Sequence, residues 1–274
     1  SLMCNSFGLA MTSKPLFSII IPTHNRPRLL ETCVRSVLAQ TIPPECYEVI
    51  VVDDGSRPAA QQILEPYLDR VRVLRQRQQG WAAARRLGVE HSHSDSVVFI
   101  DDDCAAPPDW LRCYERAYKT YPDAGGVAGG LRPGPHMNVA GVKQYLGHIA
   151  YFNALNRDLE TDTQEAGRAW FSFGGNRSFR REVWLSAQLG ETVWYFDDYL
   201  IDLALKEKGA WVFYEPDAWV SHHYVLSLTQ RILAAYRYGK SRQLMHRPVP
   251  IIDPPPALTP IEMWRRLSTE APGS

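Results

Sequence analysis

The chain has 274 residues, 45% of them hydrophobic, and balances 30 Lys+Arg against 30 Asp+Glu, so it can bury a sizeable core and shows no overall basic field for nucleic acid. Five scattered cysteines (Cys4, Cys33, Cys46, Cys104, Cys113) include no CxxC pair, which speaks for a reducing, cytoplasmic setting and against a disulfide framework or structural zinc site. No apolar run is long enough to cross a bilayer, and residues 1–14 lack a signal-peptide layout and read as a disordered start.

From there strand and helix signals alternate. LFSIIIPT is a β-branched apolar run stopped by Pro22, and RPRLLETCVRSVLAQ follows with Leu29, Leu30, Cys33, Val34, Val37 and Leu38 at helical spacing. YEVIVVDDGS is a second buried strand ending in acids. AAQQILEPYL reads as a helix interrupted near Pro66, and RVRVLRQ as a shorter, more exposed strand. GWAAARRLGVEHS is Ala-rich and helical, and SVVFIDDD is a third apolar strand. Near-continuous hydrophobic strands separated by helices predict an α/β fold with a mixed, mainly parallel sheet flanked by helices.

Ligands of such sheets bind beyond the carboxyl ends of the strands. Thr23, Asp53, Asp54, Asp101, Asp102 and Asp103 all fall there. Acids after one strand often only solvate a loop or cap a helix. Two clusters after successive parallel strands converge, and close carboxylates suit a divalent cation with oxygen ligands, Mn²⁺ or Mg²⁺, bridging to a diphosphate. Neither GxGxxG after the first strand nor GxxxxGK[ST] is present, so dinucleotide and P-loop readings are weak.

The stretches FSIIIPTHNRPRLLETCVRSVLAQ, YEVIVVDDGS, GWAAARRLG, VVFIDDDCAAPPDWL, FGGNRSFRREVW and FDDYLIDLALKEKGAWVFYEPDAWVSHH follow one another in order. With YRYGKS at their end, they resemble a family 2 glycosyltransferase of GT-A fold across roughly residues 16–243. The resemblance implies a hexosyltransferase-type, inverting enzyme that takes a nucleotide-diphosphate sugar, a UDP-sugar foremost. It divides residues 15–230 into a nucleotide-sugar-binding half (15–130) and an acceptor half (131–230). It also implies roles for single residues. Pro22, Thr23, Asn25 and Arg26 would approach the nucleotide, and Asp53 and Asp54 the base or ribose. Gly80 and Arg85 match the glycine and arginine beside base and phosphates, although ARR stands where ARN is usual. Asp101 and Asp102 belong to a DXD-type motif, with Asp101 facing the ribose. Asp103 and His222 would be metal ligands, His222 alternatively an ordinary hydrogen-bonded residue.

In the acceptor half, FSFGGNRSFRRE sets Gly174, Gly175 and Asn176 before a helix, giving close access to a sugar. Trp194, with Trp170 and Tyr195, is an aromatic candidate for stacking on sugar faces. The general base is expected in WYFDDYLIDLALKEKG, where the usual E-D pair is missing. Asp198 is favoured, because an acid in the first helical turn can point out of the helix end; Asp197 and Asp202 are the alternatives. Residues 231–274 comprise an amphipathic helix with Arg231, Arg237, Lys240 and Arg242, then a Pro-rich tail. That helix packs on the domain, or lies against the inner face of a membrane where a lipid-linked rather than soluble carbohydrate acceptor waits. Two readings compete with transfer. One is a sugar-nucleotide-binding protein without catalysis, and the other a metal-dependent phosphatase or nucleotidyltransferase.

Overall fold

A computed structural model describes residues 14–135, 141, 145–146, 149, 152, 167–169, 172–187 and 197–223, with positions 197 and 199 described by backbone alone. Trp170, Trp194, Tyr195 and the C-terminal amphipathic helix lie outside the described residues.

Three runs of Ile and Val make the centre. β1 (Phe17–Thr23) pairs in parallel with β2 (Tyr47–Asp53) on one side and β4 (Ser96–Ile100) on the other, and β2 pairs in parallel with β3 (Val71–Arg75). β1 and β4 are buried at every residue, because helices cover both faces. Each fully buried Val or Ile is worth about 1.5–3 kcal/mol, so these strands anchor the domain.

The helices follow from spacing. α1 (Pro27–Leu38) begins on Pro27, whose missing N–H costs nothing at that position, and buries Leu30, Cys33, Val34 and Val37. The interruption at Pro66 is real: α2 (Ala60–Ile63) ends before a 3₁₀ turn at Glu65–Tyr67. α3 (Trp81–Glu90) packs on β1 and β2 through Ala84, Arg85, Gly88 and Val89. After the short β5 (Cys104–Ala105), α4 (Trp110–Thr120) buries Trp110, Leu111, Tyr114, Ala117 and Tyr118.

The second half mixes directions. β6 (Gly126–Pro133), β7 (Gly167–Ala169), β8 (Asn176–Arg180) and β9 (Val212–His222) complete a nine-stranded sheet among the described residues. Its order is β3-β2-β1-β4-β8-β6-β9-β5, with β7 also on β9. β8 runs antiparallel to both β4 and β6, and β5 antiparallel to β9. α5 (Arg181–Ser186) and α6 (Asp197–Glu207) flank these strands. The parallel expectation therefore holds for β1 to β4, and the remainder is mixed.

Cys33, Cys104 and Cys113 are free, whereas Cys46 is disulfide-bonded, one exception to the expectation of unpaired thiols.

Gly88 is where α3 comes closest to the sheet. A Cβ there would stand 2.5 Å from Ile20 Cγ2 and 3.3 Å from Val52 Cγ2. Replacing a mid-helix glycine by alanine ordinarily gains about 0.5–1 kcal/mol, while overpacking costs about 1–3 kcal/mol. The clash involves a β-branched side chain locked in the core, so overpacking wins. Gly88→Ala is expected to lower the urea midpoint, and an unchanged or raised midpoint would contradict this packing.

Candidate active site

Asp53 and Asp54, expected to touch base or ribose, turn inward. Asp53 is fully buried and accepts hydrogen bonds from the Ser56 and Ala60 N–H groups and from Arg75 Nη1. Asp54 accepts from Gln76 Nε2 and the Gln79 N–H at one oxygen and from the Gly80 N–H at the other. Through these bonds both carboxylates hold the loops that follow β2 and β3, with Arg75 itself 49% exposed. Gly80 sits at φ +94°, a backbone that side-chain-bearing residues rarely adopt, and so delivers its N–H to Asp54 at the start of α3. Asn25, at φ 56°, closes the opposite loop by accepting the Arg57 N–H.

The three consecutive acids after β4 separate into three environments. Asp102 is fully buried beneath the site, where Thr23 Oγ1 donates to it at 2.7 Å and Arg26 Nη1 at 2.9 Å. Burial pushes its carboxyl up to about 7, against the pull of Arg26. Asp102, Thr23 and Pro22 are all buried here. Asp103 faces outward enough to leave 13% of its side chain exposed, and receives Arg26 Nη1 at 2.7 Å. Burial works to raise its carboxyl, but His222 and then Arg26 outweigh that and hold it below the usual range. Asp101, 25% exposed, is held by Arg85 Nη2 at 2.8 Å. The same Arg85 nitrogen reaches the Gly174 carbonyl at 3.3 Å. Arg26, 34% exposed, also lies over the Trp81 ring at 5.5 Å, so one guanidinium caps two carboxylates and an aromatic face.

His222 reaches this cluster through the sheet. Cys104 and His222 are paired residues on antiparallel β5 and β9, and the His223 N–H donates to the Asp103 carbonyl at 2.8 Å. Ligand atoms of Asp103, Cys104 and His222 lie within 4.8 Å of one another. Asp103 Oδ1 is buried without a hydrogen-bond partner and stands 3.4 Å from His222 Nε2. An unbonded carboxylate oxygen beside an imidazole nitrogen is a pair that fits Mn²⁺ or Mg²⁺, with imidazole favouring Mn²⁺. Burial, with the neighbouring Asp103, pushes the Cys104 thiol well up, which makes it a poor third ligand for a hard cation.

Across from the acids lies the Gly174–Gly175 turn. A Cβ on Gly175 would stand 2.6 Å from Asp101 Oδ2, and one on Gly174 would stand 2.8 Å from Asp198 Oδ2. Both glycines are required by close approach, and they bring Asp101 and Asp198 to the two sides of one turn. Asn176, expected at the acceptor, is corrected. It is fully buried, its Oδ1 accepting from Trp110 Nε1 and Tyr114 Oη while its Nδ2 donates to the Gly130 and Ala218 carbonyls. No donor or acceptor remains for a sugar.

Asp202 is buried too. The Ser172 N–H and Oγ both donate to its Oδ2, and Arg177 Nη1 lies 3.5 Å from its Oδ1. Arg75, Trp81, Ser172 and Arg177 escaped the sequence reading. Arg177 and Ser178 did carry a signal, since polar residues in a strand between FGG and a helix must find partners once that strand becomes central.

A family model described as Glycosyl transferase family 2 matches residues 18–184. The chain belongs to that family. Glycosyltransferase AglE of Haloferax volcanii is 37% identical over 120 residues, 42% of this chain and 38% of AglE. Glucosyl-dolichyl phosphate glucuronosyltransferase of the same organism is 28% identical over 173 residues, 61% of this chain and 53% of that protein. This chain thus spans well under two thirds of the length of such curated relatives. Mannosyltransferase PcManGT from Pyrobaculum calidifontis, solved in complex with GDP-Man and Mn²⁺, has a TM-score of 0.61 at 18% identity, covering 96% of this chain and 67% of its own. S. aureus TarS 1–349 in complex with UDP has a TM-score of 0.60 at 16% identity, covering 76% and 60%. The family 2 chain therefore has the GT-A fold of these glycosyltransferases. No helix among its described residues is long and apolar enough to cross a membrane.

Burial raises the Asp202 carboxyl from its ordinary 3.8 to about 7, although Arg177 and Ser172 pull the other way. Between those values the folded protein binds more protons than the unfolded chain, so Asp202's contribution to stability is lost as pH rises through the window. The slope is at most about 1.4 kcal/mol per pH unit. Melting temperatures of wild type and Asp202→Asn should converge or cross as pH rises from 4.5 to 7.5. A difference constant in pH would show that the Asp202 carboxyl is not raised.

Proposed function

We propose that this family 2 chain transfers a sugar from a nucleotide-diphosphate donor to an acceptor hydroxyl, with inversion at the anomeric carbon and with Mn²⁺ or Mg²⁺. The observation that carries the reading is the placement of Asp101 and Asp198 on opposite sides of the Gly174–Gly175 turn, beside Asp103 and His222. The turn puts a donor-side carboxylate and a candidate base one peptide apart.

In this reading the donor half, residues 15–130, binds the nucleotide sugar beside the braced Asp53 and Asp54 loops, and Asp101, paired with Arg85, would face the ribose. Asn25, Arg26 and Gly80 would approach the nucleotide. Asp103 and His222 would hold the cation, which would supply positive charge to offset that of the departing diphosphate. Arg26 adds positive charge on the same side. Asp198 accepts the acceptor's hydroxyl proton as the new bond forms from that oxygen to the anomeric carbon. The bond from the anomeric carbon to phosphate oxygen breaks on the opposite face, and its electron pair leaves with the nucleoside diphosphate. A single in-line displacement inverts the centre. Asp197 stays the alternative base from the same helical turn, while Asp202's burial argues against its touching an acceptor.

PcManGT is solved with GDP-Man and Mn²⁺ and TarS with UDP, which supports a nucleotide-sugar donor and makes a UDP-sugar and GDP-mannose the first to test. The name of the glucuronosyltransferase relative supports a lipid-linked acceptor beside a plain carbohydrate one. The C-terminal amphipathic helix would then touch the inner face of a membrane.

Two variants test this reading. Asp103→Ala should abolish Mn²⁺ binding measured by calorimetry and lower transfer by roughly a hundredfold or more. Asp198→Asn should keep metal and donor affinity but lose turnover by roughly a hundredfold or more. Donor binding without transfer or hydrolysis in the wild type would leave a binding protein, and release of inorganic phosphate a phosphatase. An unchanged Mn²⁺ response in Asp103→Ala would remove the metal assignment.

A further inference from the structure

Arg177 is the charged side chain that the proposed chemistry leaves unused. It lies on β8 and is fully buried, with Phe179 at 5.2 Å and Phe99 at 6.0 Å from its guanidinium carbon. Nη1 donates to the Asp198 carbonyl at 3.3 Å and lies 3.5 Å from Asp202 Oδ1. Nε and Nη2 have no hydrogen-bond partner. Burying a guanidinium so incompletely satisfied costs far more than an apolar side chain of the same volume would, which makes it a poor choice for packing alone. Its partners explain its place. Asp198 is the candidate base, and Asp202 in turn holds Ser172, two residues before the glycine that Asp198 approaches.

We infer that the Arg177–Asp202 pair is a buried charge lock that positions Asp198, and that the Arg177 cation keeps Asp198 ionised for proton transfer. The inference rests on Asp198 being the base. The lock ties three elements together: β8 through Arg177, the first turn of α6 through the Asp198 carbonyl, and the loop before Gly174 through Ser172. A positive charge in low dielectric favours the ionised form of a nearby carboxylate. Among the described residues, Asp202 on its own helix, and Arg85 and Asp101 across the Gly174–Gly175 turn, are further charges near Asp198.

The experiment is the pH dependence of kcat with saturating donor and Mn²⁺ in Arg177→Met, Arg177→Lys, Asp202→Asn and Asp198→Asn, with donor affinity measured by calorimetry as the check on folding. Arg177→Met should lower kcat roughly tenfold or more and move the acid limb up by roughly one pH unit, with donor affinity kept. Arg177→Lys, which restores the charge but not the fork, should return the limb toward its original position at reduced kcat. Asp202→Asn leaves the guanidinium in place and should not move the limb upward. A limb unmoved in Arg177→Met, or moved equally in Arg177→Lys, overturns the lock. Should Arg177→Met fail to bind donor, the Arg177→Lys and Asp202→Asn limbs decide alone, an upward shift of roughly one pH unit or more in either overturning it. If Asp198→Asn turns over normally, the base assignment fails, an outcome distinct from loss of the lock.

Discussion

Concentrating carboxylates at one edge of a sheet is the constraint that the rest of this structure answers. Asp53, Asp54, Asp101, Asp102 and Asp103 all follow parallel strands, where like charges repel and burial resists ionisation. The chain meets this with arginines, one to each need. Arg75 meets Asp53, Arg85 meets Asp101, Arg26 spans Asp102 and Asp103, and Arg177 repeats the device on the far side with Asp202. Asp54 alone is met by two backbone N–H groups and an amide. An exposed pair of this kind would be worth at most about 1 kcal/mol. These are mostly half-buried or buried, so removing one partner leaves a charge stranded and the arrangement acts as a unit.

The same acids divide by depth. Asp53, Asp54 and Asp102 are buried, while Asp101 and Asp103 keep side-chain surface, 25% and 13% of it. Only groups that still face outward can exchange a protein partner for a substrate. Rigid supports beneath them keep that exchange from costing geometry.

Much of this was legible in the sequence. The unbroken runs SIII, VIVV and SVVFI required strands covered on both faces, and their acidic ends converge at one edge of the sheet. Which acids face the ligand was not legible, because DD and DDD look alike along the chain and differ only in which neighbour reaches them in space. Asn176 shows the same limit. Local reading sees an amide after two glycines, as in an open turn, whereas Trp110 and Tyr114 of α4, more than sixty positions earlier, arrive to consume it. Arg177 was missed for a related reason: its partners, Asp198 and Asp202, lie some twenty to twenty-five positions further on.

Antiparallel pairing is what brings the second half of the chain to the acidic edge. In a wholly parallel sheet, the residues entering a strand lie at the opposite edge from those leaving its neighbour. Here β8 runs against β4, and Ile100 pairs with Asn176. The glycines that enter β8 therefore lie directly beside the acids that leave β4, and Asp101 donates its N–H to the Gly175 carbonyl at 3.3 Å. β5 against β9 repeats the arrangement, setting His222 opposite Cys104 and next to Asp103. Two reversals of strand direction thus bring residues from the second half of the chain onto the carboxyl edge built by the first. The Gly174–Gly175 turn and the distant histidine could meet the acids by no shorter route.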